Sequence, residues 1–356
     1  MKILQVIPYF CFGGAETMCE NLTYALRELD HQVCVVSLYG EHTPISKRME
    51  EAGIRIHYLD KKLGLDISMI PKLRRIMKAE KPDVVHTHLD VIKYAVPAAK
   101  LAGISRCVHT VHNVADKEAE GRLQKIVNGF FFRSGWSVPV ALSPLVQQTI
   151  VDFYGLPQEK VPVIYNGVDL SRCLPKESYA AGEAMKLIHV GRFNEQKNHR
   201  RLLEAFARFR KEYPKAQLQL LGDGELLENT KAYAKQLALE DNVQFLGSQG
   251  NVYPYLQQGD LFLLPSDYEG MPMTVIEAMG TGLPIVATNV GGLPDMILHG
   301  QSGLLTQLSA EAVCEACLKL AGDEQLREAF GRKAREDSLR FSADYMARQY
   351  LLQYTK

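Results

Sequence analysis

Lys186-Leu187-Ile188-His189-Val190-Gly191-Arg192-Phe193-Asn194-Glu195-Gln196-Lys197 decides the fold. An apolar, β-branched run ends at a glycine. Two cations follow, and an amphipathic stretch, His199–Lys211, comes next. A buried strand, a tight turn and a helix form the repeating unit of a doubly wound sheet. The same unit recurs along the chain. Downstream, the strand candidates are 217–221, 243–245, 261–264, 285–287 and 304–305, with a helical pattern over 226–239 between them. Upstream they are 3–8, 33–38, 54–58, 84–86, 107–111, 138–142 and 161–164, with amphipathic stretches at 15–29, 67–78 and 144–153. Such alternation predicts parallel sheets with helices on both faces. It pauses over 166–185, where an Asn-Gly and further glycine and proline breaks read as a linker. The final 45 or so residues are helical only.

Two doubly wound α/β domains are therefore expected. The first spans 1–168, the second 169–340, and a terminal helix covers 341–356. A length of 356 residues suits two domains that each bury a core. The 46% hydrophobic and 23% charged content is that of a globular protein. Lys plus Arg and Asp plus Glu are both 41, so the basic excess of a nucleic-acid binder is missing. Seven scattered cysteines, Cys11, Cys19, Cys34, Cys107, Cys173, Cys314 and Cys317, suggest free thiols in a reducing compartment. Cys314 and Cys317 have no second ligand pair for zinc and read as core. No apolar run reaches the roughly 18 residues of a membrane span. Gln5 and Pro8 interrupt the apolar start, which reads as a first strand and not as a signal peptide. The expected location is cytoplasmic, with attachment to the inner face of the cell membrane left open. Lys72, Arg75 and Lys78, opposite Ile70, Leu73 and Met77, make one basic amphipathic face that bears on it, against the ordinary reading of a solvated helix face.

In doubly wound sheets, ligands bind beyond the carboxyl ends of the strands. Gly13-Gly14-Ala15-Glu16 lies at such an end, before a helix whose N-terminus favours phosphate. His86-Thr87-His88 and His109-Thr110-Val111-His112 end two further strands. Their spacing fits no common zinc signature; His86 and His109 read as structural, and His112 as a site residue. Arg192 and Lys197 together suit a diphosphate, Arg through a bidentate grip and Lys as a point charge. The stretch Leu264 to Gly280 carries Glu269 in a loop and Glu277 in the following helix. The two carboxylates suit sugar hydroxyls. Thr274, three residues before Glu277, also makes a capping box, in which Glu277 would only cap its helix. Both readings stand at this point.

The set Gly13-Gly14-Ala15-Glu16, Asn166-Gly167-Val168-Asp169, Gly191-Arg192 with Lys197, Leu221-Gly222-Asp223-Gly224, Phe245-Leu246-Gly247, and Glu269 to Glu277 with Gly291-Gly292 resembles retaining glycosyltransferase family 4. Order and spacing agree along nearly the whole chain. The resemblance implies the GT-B fold, two Rossmann-like domains facing across a cleft. It gives Gly14, beside Gly13, a backbone contact to the donor phosphates, and makes Arg192 and Lys197 neutralise the diphosphate. Glu269 would hold the transferred sugar, helped by the backbone N–H groups that the loop of Gly270, Met271, Pro272 and Met273 offers, Pro272 itself having none. Glu277 would hold the ribose, and His112 would lie beside the transferring sugar. Gly247 and Ser248 would approach the base. Asn113 stands where many relatives have Asp, which leaves the acceptor side less defined, and Asp295 stands where Glu is usual. The final helix would cross back onto the first domain.

The expected reaction moves a hexose or N-acetylhexosamine from a nucleotide diphosphate sugar to a saccharide or lipid-linked saccharide, in cell-surface polysaccharide synthesis. A UDP-sugar is favoured by its frequency in the family. No Asp-x-Asp stands in a strand-end loop, so neither metal nor other cofactor is expected, and protein cations would stabilise the leaving group. The family pattern offers no carboxylate nucleophile, so retention would follow same-face attack. A nucleotide-sugar epimerase on the same fold and a non-catalytic sugar-nucleotide binder are the alternatives.

Overall fold

The computed structural model describes residues 1–10, 13–119 and 121–356; Cys11 lies outside them. The chain forms two compact units, Met1–Gly167 with Ala343–Lys356, and Val168–Ser342.

The first unit is built on β1 (Lys2–Ile7), β2 (Gln32–Ser37), β3 (Arg55–Tyr58), β4 (Val84–His88), β5 (Arg106–Val111) and β6 (Val138–Ala141). Their order across the sheet is β3-β2-β1-β4-β5-β6, with every pair parallel. The second unit repeats this with β7 (Lys186–Val190), β8 (Gln217–Leu221), β9 (Val243–Gly247), β10 (Leu261–Leu264), β11 (Ile285–Thr288) and β12 (Gly303–Thr306). Its order, β12-β11-β10-β7-β8-β9, is the same pattern read from the other edge. In both sheets the strand order reverses beside the first strand, at β1/β4 and at β7/β10. These are the switch points where such folds bind ligands.

The central strands are covered on both faces, which is why they read as continuous apolar runs: Ile3, Leu4, Val6 and Ile7 in β1, and all of β10, are buried. Helices begin at polar caps. Ser143 accepts the amide of Val146 (3.2 Å) ahead of Pro144–Tyr154, and Ser309 that of Ala312 (3.1 Å) ahead of Ala310–Ala321. Cys314 and Cys317 lie in this last helix and join the core of the second unit.

Two expectations change. Residues 161–164 form no strand, only a parallel bridge between Ala141 and Val163. Pro162 has no amide to donate, so the ladder stops there. Nor is 166–185 a free linker. Val168, Cys173 and Met185 are buried, Lys176 Nζ donates to the Gly259 carbonyl (2.5 Å), and the Tyr179 hydroxyl to that of Gly282 (2.8 Å). Distant side chains satisfy an irregular backbone that has no ladder of its own. At the crossing, Val168 bridges to Ser342, so the outgoing and returning passes lie side by side.

The terminal helix Ala343–Tyr354 packs on helix Gly14–Glu28 of the first unit, burying Met346, Ala347, Tyr350 and Tyr354. The Tyr354 hydroxyl lies 2.7 Å from His86 Nδ1, and the Tyr350 hydroxyl 2.7 Å from Thr110 Oγ1.

Candidate active site

In the second unit, the loops after β7 and β10 meet at the switch point. The β7 loop runs through Gly191 and Arg192 to Phe193, which is fully buried and stacks on His199 (4.0 Å between ring centroids). Its backbone is clasped by the loop after β8. Phe193 N donates to Asp223 O (3.0 Å), and Leu226 N to Phe193 O (3.0 Å). A Cβ at Gly222 would strike the Gly191 carbonyl, and one at Gly224 the Phe193 backbone. The Leu-Gly-Asp-Gly stretch is thus the floor on which the cationic loop rests. Arg192 is exposed, and its side chain makes no hydrogen bond or ion pair with any described residue. Asn194 caps the following turn by accepting the Lys197 amide (3.2 Å).

Glu269 is buried in the β10 loop. Its Oε1 accepts from Lys197 Nζ (2.5 Å) and Ser266 Oγ (2.6 Å), and its Oε2 from Gln196 Nε2 (3.2 Å). Gln196 also donates to the Tyr268 carbonyl (2.9 Å), so the two loops are stitched together. The loop after β11 closes this arrangement. Gly292 N donates to Glu269 O (3.2 Å), and Gly291, at φ +57°, has its α-carbon so close that a Cβ would overlap that oxygen. Only glycine meets both demands. Glu269 and Lys197, expected to serve sugar and phosphate separately, are joined in one ion pair. Ser266 and Gln196, which complete the carboxylate's shell, carry no motif signal in the sequence.

Glu277 does not cap its helix. The helix runs Met273–Thr281 with Pro272 as N-cap and no side-chain cap bond, so Thr274 lies inside it. Thr274 Oγ1 is buried without a hydrogen-bond partner among the described residues. Glu277 is buried but for 9% of its surface, and its carboxylate accepts no hydrogen bond from any described residue. Burial pushes its pKa up to about 7, opposed by the positive charge of Arg172. A buried, unbonded carboxylate is costly to keep, and hydroxyl donors would relieve that cost. Gly270, Met271, Pro272 and Met273 are buried ahead of it. Gly247 ends β9 at φ +66°, and Ser248 follows it exposed. Asp295 sits in the short helix Leu293–Met296, its pKa raised by burial against the pull of Arg340.

In the first unit, Gly13 is the extended N-cap of helix Gly14–Glu28. A Cβ on Gly13 would run into the buried Glu16 carboxylate, whereas one on Gly14 would meet nothing within 4 Å among the described residues. Four histidines gather at the ends of β4 and β5. His86, His88 and His109 are buried, and His112 is half-buried. His88 Nδ1 lies 3.1 Å from His112 Nε2. Burial lowers the pKa of His112 to about 4, despite the nearby Glu118, so the ring is neutral. Glu118 was not foreseen. It folds back from the short helix Ala115–Glu118, and its Oε2 accepts the backbone amides of His112 and Asn113 (3.0 Å for the latter). Among the described residues no group of three or more His, Cys, Asp or Glu is arranged to hold a metal ion.

Residues 12–172 match the family described as Glycosyltransferase Family 4, and residues 174–337 that described as Glycosyl transferases group 1. The chain is 30% identical over 304 residues to N-acetyl-alpha-D-glucosaminyl L-malate synthase of Bacillus anthracis, covering 80% of this chain and 77% of that protein. It is 30% identical over 280 residues to the UDP-Gal:alpha-D-GlcNAc-diphosphoundecaprenol alpha-1,3-galactosyltransferase of Escherichia coli, covering 73% and 72%. The crystal structure of Anabaena Alr3699/HepE in complex with UDP matches at a TM-score of 0.86, with 21% identity and complete coverage of both chains.

Proposed function

The chain belongs to glycosyltransferase family 4, with the GT-B fold of two Rossmann-like units, and from that premise we propose that it is a retaining, metal-independent transferase. Its donor is a nucleotide diphosphate sugar, UDP-linked by preference. Its acceptor is a saccharide or lipid-linked saccharide in cell-surface polysaccharide synthesis. The E. coli relative acts on a UDP-sugar and a diphosphoundecaprenol-linked acceptor, which supports both choices.

The observation that carries the reading is the division of charge at the second switch point. Arg192 and Lys197 stand at the end of β7, and two buried carboxylates follow β10. Cleavage of the sugar–phosphate bond leaves negative charge on the diphosphate, which Arg192, Lys197 and the uncapped helix start at Met273 stabilise by fixed charge and dipole. Glu269, held on three sides by Lys197, Ser266 and Gln196, receives hydroxyls of the transferred sugar. Glu277 receives the ribose hydroxyls that fill its empty hydrogen-bonding capacity. Gly13 and Gly14 offer amides to the phosphates, Gly247 and Ser248 approach the base, and His112 lies beside the transferring sugar. The acceptor hydroxyl attacks the face from which the phosphate departs and passes its proton to the departing phosphate oxygen. The configuration is thereby retained without a covalent enzyme intermediate.

Release of nucleotide diphosphate across a panel of nucleotide sugars, with and without a saccharide acceptor and in the presence of a chelator, tests this. Acceptor-dependent release that survives chelation, with the anomeric configuration kept in the product, is expected. Release only with added magnesium or manganese refutes metal independence. Conversion of donor alone to an isomer identifies an epimerase, and binding without turnover a non-catalytic binder.

We place the reaction in the cytoplasm at the inner face of the membrane. No helix among the described residues is long and apolar enough to cross a membrane. Helix Met69–Glu80 buries Leu73 and Met77 and exposes Lys72, Arg75 and Lys78. The segment ahead of it exposes Leu63, Leu65 and Ile67. Cations beside exposed apolar side chains suit an anionic bilayer surface. Cosedimentation with anionic but not neutral vesicles is the expected result.

A further inference from the structure

Behind His112 a single file of buried hydrogen bonds leads back to the first helix. Thr23 Oγ1 donates to the Cys19 carbonyl (2.7 Å), as a threonine inside a helix does, and that leaves its lone pairs for others. Gln5 Nε2 reaches the same two groups, Thr23 Oγ1 at 2.6 Å and the Cys19 carbonyl at 3.4 Å. Both accept there, so the amide of Gln5 is oriented: its nitrogen faces the helix and its oxygen faces away. That oxygen lies 2.9 Å from His88 Nε2. An amide oxygen can only accept, so His88 carries its proton on Nε2. His88 is fully buried, and burial, with the neighbouring His86, His112 and His109, holds its pKa well below the usual histidine range. A neutral ring protonated at Nε2 has a bare Nδ1. His112 Nε2 sits 3.1 Å from it and must supply the proton. His112 is neutral too, so its own Nδ1 is bare. That nitrogen has no partner among the described residues.

We propose that His88 and Gln5 are positioning residues that fix the tautomer of His112, so that His112 offers the transferring sugar an unprotonated Nδ1 as acceptor for a hydroxyl. The inference rests on the placement of His112 beside that sugar, and adds which atom meets it, in which protonation state and what sets that state. The other attachments hold the ring in place without choosing its tautomer. Glu118 binds the backbone amides of His112 and Asn113, and His86 is engaged separately by Tyr354 and Thr110.

The test uses the full chain with 15N-labelled histidine, His112 being assigned from the spectrum of His112→Asn. In the unaltered protein at pH 7 the ring nitrogens of His112 should show a protonated Nε2 and a bare Nδ1. His88→Asn places a carbonyl oxygen near the position of Nδ1 and should keep both this signature and most of the turnover. His88→Phe removes the acceptor. It should let the Nδ1-protonated form appear and lower kcat about tenfold, as for loss of one hydrogen bond in the transition state, with nucleotide diphosphate affinity unchanged. Gln5→Leu should shift the tautomer in the same direction by a smaller amount. A protonated Nδ1 in the unaltered protein overturns the proposal. So does a His88→Phe variant that loses turnover with the tautomer intact, or a His88→Asn variant as impaired as His88→Phe. A bare Nδ1 in a protein that turns over no nucleotide sugar would refute the glycosyl-transfer reading, and with it the use given to that nitrogen.

Discussion

The two units share one strand order and one kind of switch point, yet the chemistry at those points is opposite. The first gathers mostly neutral groups, namely His86, His88 and His112 with lowered pKa values, threonines, tyrosines and a glutamine, joined by hydrogen bonds, and its carboxylate Glu118 is turned onto backbone amides. The second gathers charges: an exposed arginine, a lysine–glutamate pair and a buried carboxylate without a hydrogen-bond partner among the described residues. Topology chooses where a site can lie, and the loop residues choose what it can hold. A neutral, hydrogen-bonded surface suits sugar hydroxyls, and a charged one suits a nucleotide diphosphate.

If that contrast is right, the largest effects come from the charged unit. Lys197→Met removes the partner of Glu269 and a cation from the leaving group. Turnover should fall on the order of 100-fold or more in steady-state assays, the usual cost of one electrostatic donor. A fall of less than about threefold would put the charge elsewhere. Gly291→Ala should come next, through stability. The positive φ alone costs about 1 kcal/mol, and the collision with the Glu269 carbonyl adds to it, so thermal melting should drop by several degrees.

The pH dependence sharpens the comparison further. The raised pKa of Glu277, about 7 against an ordinary 4.5, means the folded protein holds this proton more tightly than the unfolded chain. Its contribution is favourable at low pH and is lost as pH rises through 7. Glu277→Gln should therefore melt higher than the unaltered protein at pH 8, with the gap closing toward pH 5. Nucleotide affinity runs the other way, since ribose hydroxyls donate best to the ionised carboxylate. It should weaken below pH 7, by at most about tenfold per unit, and the pH slope should vanish in the variant. The smallest effect is expected from Tyr354→Phe in the neutral unit. Losing the hydroxyl at His86 should cost about 1 kcal/mol of stability in denaturant titration and leave nucleotide affinity untouched.

The sheets were legible because their strands are buried on both faces, so β1, β7 and β10 stand out as apolar runs between turn residues. Other features depend on contacts that sequence spacing does not report. Residues 166–185 look like a linker because the side chains that hold them, Arg327 among them, come from the far end of the unit. Thr274 and Glu277 have capping-box spacing, but the helix starts at Met273 with Pro272 as its N-cap, two residues too early for Thr274 to be its cap. Glu118, Ser266 and Gln196 act only through what the fold brings beside them. The glycines were legible as a pattern, and the structure supplies their reasons: Gly222 and Gly224 admit the cationic loop, and Gly291 admits Glu269.

The two buried carboxylates of the charged unit are assigned to different parts of one donor. Calorimetric titration of UDP and GDP into Glu269→Gln and Glu277→Gln at pH 8, beside the unaltered protein, tests that assignment most directly. Glu277→Gln should lose about tenfold or more in nucleotide affinity, the worth of a hydrogen bond to a charged group. Glu269→Gln, which frees Lys197 for the diphosphate, should bind the nucleotide as well as the unaltered protein or better while losing turnover. Unchanged affinity in Glu277→Gln together with a large loss in Glu269→Gln would overturn this division between ribose and transferred sugar.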